Sequence, residues 1–131
     1  MTHQTQKKQA VQDYLNAVGK GDAETIASLV AEDYIHEFLG STVFATGKRT
    51  LTENRELLKT FRSSLVADGK FTIHDIAEEG DLVLAVFTGE CELVNGKRYD
   101  GVYAASFHFR GDKIISMREL MDTKLADAVM A

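Results

Sequence analysis

The segment that decides the fold is residues 98–121, RYDGVYAASFHFRGDKIISMRELM. Large apolar side chains occupy alternate positions through much of it, which is the period of a β-strand with one buried face. Gly111-Asp112 interrupts the pattern, so the segment predicts two antiparallel strands, 98–110 and 113–121. One face is bulky and is expected to form core and pocket lining: Tyr99, Tyr103, Phe107, Phe109, Ile115, Met117, Glu119 and Met121.

Two further strands precede this pair. Residues 71–77 alternate between apolar and polar side chains, and residues 82–93 follow the turn at Gly80-Asp81. Asn95-Gly96 is a strong signal for a two-residue hairpin turn. Four antiparallel strands are therefore expected in succession.

Three helices are predicted in the N-terminal half, where apolar residues recur at helical spacing. The first runs from Gln6 to Val18, and Asp22 is a good N-cap for a short second helix. Thr50 and Glu53 have the spacing of a capping box, which opens the third helix. A single strand lies between the second and third helices, and a polar loop through Gly47 follows it.

Helices that cluster early and strands that cluster late predict an α+β fold. We expect a curved antiparallel sheet wrapped around the three helices, which leaves a cone with an internal pocket for a small, mostly apolar ligand. The chain is interpreted as a single domain, 1–131, with terminal tails at 1–5 and 124–131.

Composition excludes several classes of function. A net charge of −5 without a basic stripe argues against nucleic-acid binding. The longest apolar run, 82–87, is too short to span a membrane, and the polar N-terminus predicts a cytoplasmic protein. One cysteine, Cys91, excludes an internal disulfide, and no histidine spacing matches a metal site, so no metal is predicted.

The strand between the second and third helices, residues 33–40, reads DYIHEFLG and places His36 beside Glu37. Neighbours on a strand project to opposite faces, so only one of the two enters the pocket. Inside a cone a carboxylate loses hydration, and its pKa rises toward that of a useful general base. Glu37 is the preferred candidate, and a register slip of one residue would bring in His36 instead.

Four stretches carry a resemblance to a known group: YLNAVGKGD (14–22), LVAEDYIHEFLG (29–40), GKRTL (47–51) and FHFRGDKIISMRELMDT (107–123). They resemble the ketosteroid-isomerase-like, or SnoaL-like, group of the nuclear transport factor two superfamily of cystatin-like α+β cones. The resemblance covers nearly the whole chain and implies the fold. It leaves the activity open, because this fold hosts isomerases, cyclases, hydrolases, dehydratases and non-enzymatic binders.

The resemblance also implies roles for individual residues. Tyr14 falls at the tyrosine that donates a hydrogen bond to the substrate oxyanion. The general base falls at Glu37 when Gly40 is the anchor, and at Phe38 when the count starts from Tyr14. Ala105 stands where the steroid isomerases hold a protonated aspartate, so the two-donor oxyanion hole of those enzymes is incomplete, which argues against steroid isomerisation.

Each of these candidates also has a purely structural alternative. Glu37 could be a charge on the outer strand face or at the mouth of the cone, and His36 could be a packing residue. Tyr14 lies on the apolar stripe of the first helix, where core packing alone would account for it. Glu119 shares a strand face with methionines, so it is either buried, with a donor such as Tyr103 or Tyr14, or wet at the rim. The predicted catalytic residues are Glu37, Tyr14 and Glu119, and the predicted ligand-binding residues are His36, Tyr103, Ala105, Phe107, Met117 and Met121.

Three functions remain open at this point. The first is an enzyme that uses general acid/base chemistry, and therefore no cofactor, on a small apolar carbonyl compound. The second is a non-catalytic binder of a hydrophobic ligand, and the third is an interaction module. The outer face of the last strands carries small and mixed side chains, which, together with the resemblance, predicts a homodimer through that face.

Overall fold

The computed structural model describes residues 4–43 and 46–130. In chain order these residues form α1 (Gln6–Lys20), α2 (Ala23–Leu29), β1 (Val30–Ser41), β2 (Thr46–Thr50), α3 (Leu51–Ser63), β3 (Lys70–Glu79), β4 (Leu82–Glu90), β5 (Val102–Arg110), β6 (Lys113–Met121) and α4 (Thr123–Met130). The expected α+β architecture is confirmed.

The described strands form one curved, unclosed sheet in the order β2-β1-β6-β5-β4-β3. The three pairs among β3, β4, β5 and β6 are antiparallel, as predicted; β1 also pairs with β2 in antiparallel, which was not predicted, and with β6 in parallel. No short turn constrains that pair, because most of the chain lies between the two strands, and a long connection permits a parallel ladder. The parallel pair lies inside the sheet and brings the DYIHEFLG strand beside the last strand.

Local sequence signals account for the helix ends. The Thr5 side chain accepts a hydrogen bond from the backbone N–H of Lys8 at the start of α1, and Gly21 ends that helix with a φ of 68°. The predicted capping box at α3 is confirmed: the Thr50 and Glu53 side chains each accept from the other residue's backbone N–H. These caps are contacts between neighbours in sequence, and they mark where both helices begin.

The connection from β4 to β5 differs from the prediction. The regular strands end at Glu90 and resume at Val102, so residues 91–101 form an irregular extension with an isolated bridge between Glu92 and Arg98. The turn at its tip does contain Gly96, whose φ is 86°. The hairpin signal therefore marks a real turn, but one outside the regular ladder.

A register shift corrects one expected core residue. In the β5–β6 pair, His108 lies opposite Ser116 and Phe109 lies opposite Ile114, so Ile115 is the extra residue of a bulge. Ile114 is consequently the fully buried side chain, and Ile115 is half-buried. The bulge ends before Met117.

Helix α4 occupies the segment expected to be a C-terminal tail. Asp122 accepts a hydrogen bond from the backbone N–H of Leu125, which caps the first turn. The side chains that pack on the core recur at helical spacing: Leu125, Ala126, Val129 and Met130. Among the described residues, no helix combines the length and the apolar character that crossing a membrane requires.

The core lies between the helices and the inner face of the sheet. Its largest fully buried side chains include Tyr14, Leu15, Tyr34, Phe87, Phe107 and Ile114. Helix α1 is held tightly at its C-terminal end, where the Gly69 N–H donates to the Gly19 carbonyl at 2.8 Å. A β-carbon at Gly19 would lie 2.2 Å from the Gly69 oxygen, so only glycine permits this approach.

Candidate functional site

Helix α3 and the inner face of the sheet enclose a cavity of about 300 Å³. Apolar side chains make up most of its wall: Leu15, Val18, Phe38, Leu57, Leu58, Phe61, Phe71, Phe87, Tyr99, Tyr103, Met117, Met121 and Met130. The polar residues of the wall are His36, Asn54, Thr60, Ser64 and Glu119. This size and composition are typical of a site for a small, mostly apolar molecule with a few fixed polar contacts.

The pairing of β1 with β6 decides which side of β1 meets the cavity. His36 lies opposite Met117 and is 3% exposed, whereas Glu37 lies opposite Arg118. On the outer face the Arg118 Nε donates to Glu37 Oε1 at 3.0 Å. The preference for Glu37 as the residue inside the pocket is therefore wrong, and His36 is the one that enters it.

Glu119 and His36 form the polar centre of the cavity wall. Glu119 Oε1 lies 2.6 Å from His36 Nε2, and the two side chains are 12% and 4% exposed. Of the two placements considered for Glu119, the structure therefore has the buried one, but its partner is His36. A carboxylate at this depth needs such a donor to offset its lost hydration.

Arg49 contacts the same imidazole from the other side. Its Nη1 lies 2.9 Å from His36 Nδ1, and its Nη2 donates to the Thr46 carbonyl at 2.9 Å. The guanidinium carbon lies 4.8 Å from the centre of the Phe38 ring, in cation–π geometry. Arg49 of β2 therefore contacts His36 of β1, and His36 contacts Glu119 of β6, so the three side chains form a row.

Tyr14 lies behind the wall of the cavity. It is 1% exposed, and its hydroxyl lies 2.6 Å from the Tyr34 hydroxyl. Asn54 Nδ2 approaches the Tyr14 oxygen to 3.5 Å, and Asn54 itself lines the cavity. Burial raises the pKa of both tyrosines, so their hydroxyls stay protonated. Tyr14 therefore contacts the site through Asn54, and the direct contact expected of an oxyanion donor is not present.

The remaining predicted ligand-binding residues divide into two groups. Tyr103, Met117 and Met121 lie in the cavity wall, and their contact with a ligand stays a prediction. Phe107 is fully buried against the edge of the Tyr14 ring, with the two centroids 5.8 Å apart. Ala105 is buried opposite Glu119 in the β5–β6 ladder, and its small side chain does not reach the cavity wall.

Burial also keeps two tyrosine hydroxyls and one thiol near the cavity protonated. Burial raises the pKa of Tyr99 to about 12 and that of Tyr103 further still. Burial also raises the pKa of the Cys91 thiol to about 11, so the thiol is a poor nucleophile. Within residues 4–43 and 46–130, no cluster of three or more His, Cys, Asp or Glu side chains could hold a metal.

Two residues of this site were missed by sequence reasoning. Asn54 precedes Leu57, Leu58 and Phe61 on the apolar stripe of α3, so a polar residue on a helix's buried face was the available signal. Arg49 had no such signal, because β2 was predicted as the end of a loop. It reaches His36 only because the two residues lie opposite each other in the β1–β2 ladder.

Comparison with known proteins gives a family and a fold. Residues 11–117 match the family model described as a SnoaL-like domain. No curated protein matches the chain in sequence. An NTF2-like protein of unknown function from Burkholderia pseudomallei is 14% identical with a TM-score of 0.82, and the alignment covers 98% of this chain and 100% of that one.

Two further structures carry functional names of their own. IdmH from Streptomyces antibioticus, assigned as a polyketide cyclase, is 20% identical with a TM-score of 0.76, and the alignment covers 95% of this chain and 99% of that one. An LEH-like epoxide hydrolase from M. tuberculosis is 20% identical with a TM-score of 0.73, over 96% of this chain and 97% of that one. At this identity the likeness shows the fold alone.

Proposed function

The chain belongs to the SnoaL-like domain family, and we propose that it binds and transforms a small, largely apolar carbonyl compound by general acid/base catalysis without a cofactor. The observation that carries this proposal is the placement of the Glu119 carboxylate in the wall of an otherwise largely apolar cavity. A base in such surroundings is shielded from water and acts on whatever the cavity holds. The names of IdmH and of the M. tuberculosis protein favour cyclase and hydrolase chemistry among the isomerase, cyclase, dehydratase and hydrolase types considered.

The proposed step is a proton transfer from carbon. Glu119 takes a proton from the carbon next to the substrate carbonyl: the C–H bond breaks, an O–H bond forms on Glu119, and the electron pair moves onto the carbonyl oxygen. The Asn54 carboxamide, held by Tyr14, supplies an N–H donor to that oxygen from the cavity wall. Glu119 then returns the proton to the carbon of the enolate. In an isomerisation the substrate carries a C=C bond next to that carbon, and the proton goes to the far carbon of the resulting dienolate.

In this proposal Glu119 takes the role that the resemblance implied for Glu37. Glu37 lies on the outer face of the sheet, where Arg118 is its partner. The two residues have the same side chain, so each serves as the matched control for the other. Substitution by glutamine keeps the shape of either side chain and removes only its charge and basicity.

The test is hydrogen–deuterium exchange at the carbon next to the carbonyl, followed by NMR over a panel of small apolar ketones and aldehydes. Glu119→Gln should lower the exchange rate at least about 10²-fold, which is the usual contribution of a general base. Glu37→Gln should leave that rate within about twofold. Equal rates for the wild type and Glu119→Gln on every active substrate would sink the proposal.

A second candidate function is non-catalytic binding of a hydrophobic ligand. Three methionines in the cavity wall, Met117, Met121 and Met130, favour it, because their flexible thioethers adapt to different shapes. Calorimetric titration with the same panel separates the two functions. A compound that binds tightly, is recovered unchanged, and shows no hydrogen–deuterium exchange with the wild type or with Glu119→Gln would support non-catalytic binding.

We also propose that the chain forms a homodimer through the outer face of the sheet. Large apolar side chains on that face are 40–56% exposed: Leu84, Val86, Val102 and Leu120. Analytical ultracentrifugation should find a dimer for the wild type and a monomer for Leu84→Lys/Leu120→Lys. Val94→Lys, on an exposed residue of the 91–101 extension, is the control and should stay dimeric. A monomeric wild type would contradict the proposal.

A further inference from the structure

The contact between Arg49 and His36 settles how many protons the imidazole carries. A guanidinium has only N–H donors, so the His36 Nδ1 that lies 2.9 Å from it must accept with a lone pair. A neutral imidazole without a proton on Nδ1 carries it on Nε2. The contact at 2.6 Å is therefore an N–H of His36 donating to a Glu119 oxygen, so this hydrogen bond contains no proton from Glu119.

The charged groups that face the ring support the same state. Arg49 approaches from β2 and Glu119 from β6, so the neutral ring lies between a positive and a negative charge. The hydroxyls of Tyr14 and Tyr34, from α1 and β1, stay protonated because burial raises their pKa. A second proton on His36 would set an N–H of Nδ1 against the N–H of Arg49, so the guanidinium opposes it.

Arg49 is held in place by three independent contacts. The β1–β2 ladder sets Arg49 opposite His36, the Phe38 ring lies under its guanidinium, and the Thr46 carbonyl accepts from its Nη2. The planar guanidinium contacts the Phe38 ring, the Thr46 carbonyl and His36 at the same time. The ammonium group of a lysine could not make these three contacts together. The donor is therefore already oriented toward Nδ1 before any ligand binds.

We propose that Arg49 is a positioning residue that holds His36 as the neutral Nε2–H tautomer and so keeps Glu119 a free carboxylate base. The inference rests on the proposed role of Glu119. A neutral N–H donor orients the carboxylate, whereas an imidazolium would bind it as an ion pair and weaken it as a base. His36 keeps its single proton while Glu119 takes and returns the proton of the substrate.

The first test reads the tautomer directly, without substrate. Long-range ¹H–¹⁵N NMR at pH 7, with the His36 signals assigned by comparison with His36→Asn, distinguishes protonated from unprotonated ring nitrogens. The wild type should show Nε2 protonated and Nδ1 unprotonated. Arg49→Met should show protonation at Nδ1, and Arg49→Lys should lie between the two. Arg118→Met, which removes the arginine of the outer pair, should leave the His36 signals unchanged.

The second test uses the exchange assay at different pH values. Arg49→Met should lose about tenfold or more in rate at pH 7, and the loss should shrink as pH rises, because His36 then gives up its extra proton and releases Glu119. A loss caused only by damaged packing would not depend on pH in this way. Arg49→Lys should recover part of the rate.

The outcomes separate the two proposals. A wild-type His36 with its proton on Nδ1, or with both nitrogens protonated at pH 7, overturns the role of Arg49 whatever Glu119→Gln does. So does a wild-type tautomer that Arg49→Met leaves unchanged. A tautomer that depends on Arg49, combined with full exchange activity in Glu119→Gln, keeps the positioning role and removes the proposed function.

Discussion

Two glutamates lie on neighbouring strands, and each lies within hydrogen-bond distance of a nitrogen of a basic side chain. The two pairs differ in how far they are exposed to water. Glu37 on β1 accepts from Arg118 at 3.0 Å on the outer face, and Glu119 on β6 contacts His36 at 2.6 Å on the inner face. The outer side chains are 50% exposed for Arg118 and 23% for Glu37, against 4% and 12% for the inner pair. Water screens the first pair and is largely excluded from the second.

The comparison teaches that burial, and not the presence of a partner, separates a surface contact from a candidate site. A screened pair contributes about 0–1 kcal/mol to stability, and its members are free to exchange partners with water. The inner pair was desolvated when the protein folded, so every group in it depends on the next. Changes on the two faces should therefore have very different effects.

The largest expected difference is in how the unfolding free energy depends on pH: it should fall more steeply in alkali than in acid. Burial raises the pKa of four inner tyrosines, Tyr14, Tyr34, Tyr99 and Tyr103. Above about pH 10 the unfolded chain releases these protons while the folded protein keeps them, so stability falls as pH rises. The unfolding free energy, measured in urea, should fall by up to about 1.4 kcal/mol per pH unit for each tyrosine.

The exposed carboxylates should contribute much less to the fall of stability in acid. The pKa of Asp33 is lowered by hydrogen bonds from Arg110, and that of Asp100 by hydrogen bonds from Arg98, so their stabilisation is present above the unfolded pKa and lost as pH falls through the folded one. Both pairs are exposed, which makes the loss small. Tyr103→Phe should reduce the alkaline slope and leave the acid limb unchanged. Equal slopes on the two limbs would contradict the contrast between inner and outer groups.

The next effect is the loss of the inner partner. His36→Ala should lower the unfolding free energy by about 2–4 kcal/mol, because it leaves the Glu119 carboxylate without its donor and opens a cavity. Glu37→Ala on the same strand should cost less than about 1 kcal/mol. Urea denaturation of both variants measures the difference. Similar losses of unfolding free energy would mean that the two faces of the sheet are equally exposed to water.

A smaller effect is expected behind the cavity. Tyr14→Phe removes one of two hydroxyls that lie 2.6 Å apart and leaves Tyr34 and Asn54 without that partner. We expect the unfolding free energy to fall by about 1–2 kcal/mol. If Asn54 loses its orientation, the rate of hydrogen–deuterium exchange in the substrate should also fall. Tyr99→Phe is the comparison for stability, because the Tyr99 hydroxyl contacts the Met121 sulfur and the Tyr103 side chain, and not Tyr34 or Asn54. Unchanged exchange in Tyr14→Phe would show that Tyr14 does not position Asn54 for the reaction.

The smallest effect is expected from the outer pair itself. Arg118→Met should change the unfolding free energy by about 0.5 kcal/mol or less, and 1 M salt should abolish most of the difference. Thermal melts at low and high salt measure it. A large, salt-independent loss would contradict the screening of this pair by water.

Local patterns predicted much of the fold. The capping box at Thr50 and the alternation along β5 each involve neighbours in sequence, so their signals are present in the chain itself. The same alternation required that His36 and Glu37 lie on opposite faces. It could not say which face was inside, because that depends on the strand beside β1. Helix α4 and strand β2 were missed for a related reason, since both are short and gain their stability from packing.

The sequence by itself determined an α+β cone, the starts of its first three helices, and two carboxylates as candidate bases. The tertiary structure decided between the carboxylates. The parallel β1–β6 pairing, which joins segments about 80 residues apart, turns His36 toward Glu119 and Glu37 toward Arg118. It also brings Arg49 into the site through β2. Contacts between distant segments are set by the packing of the whole sheet, and no local spacing encodes them.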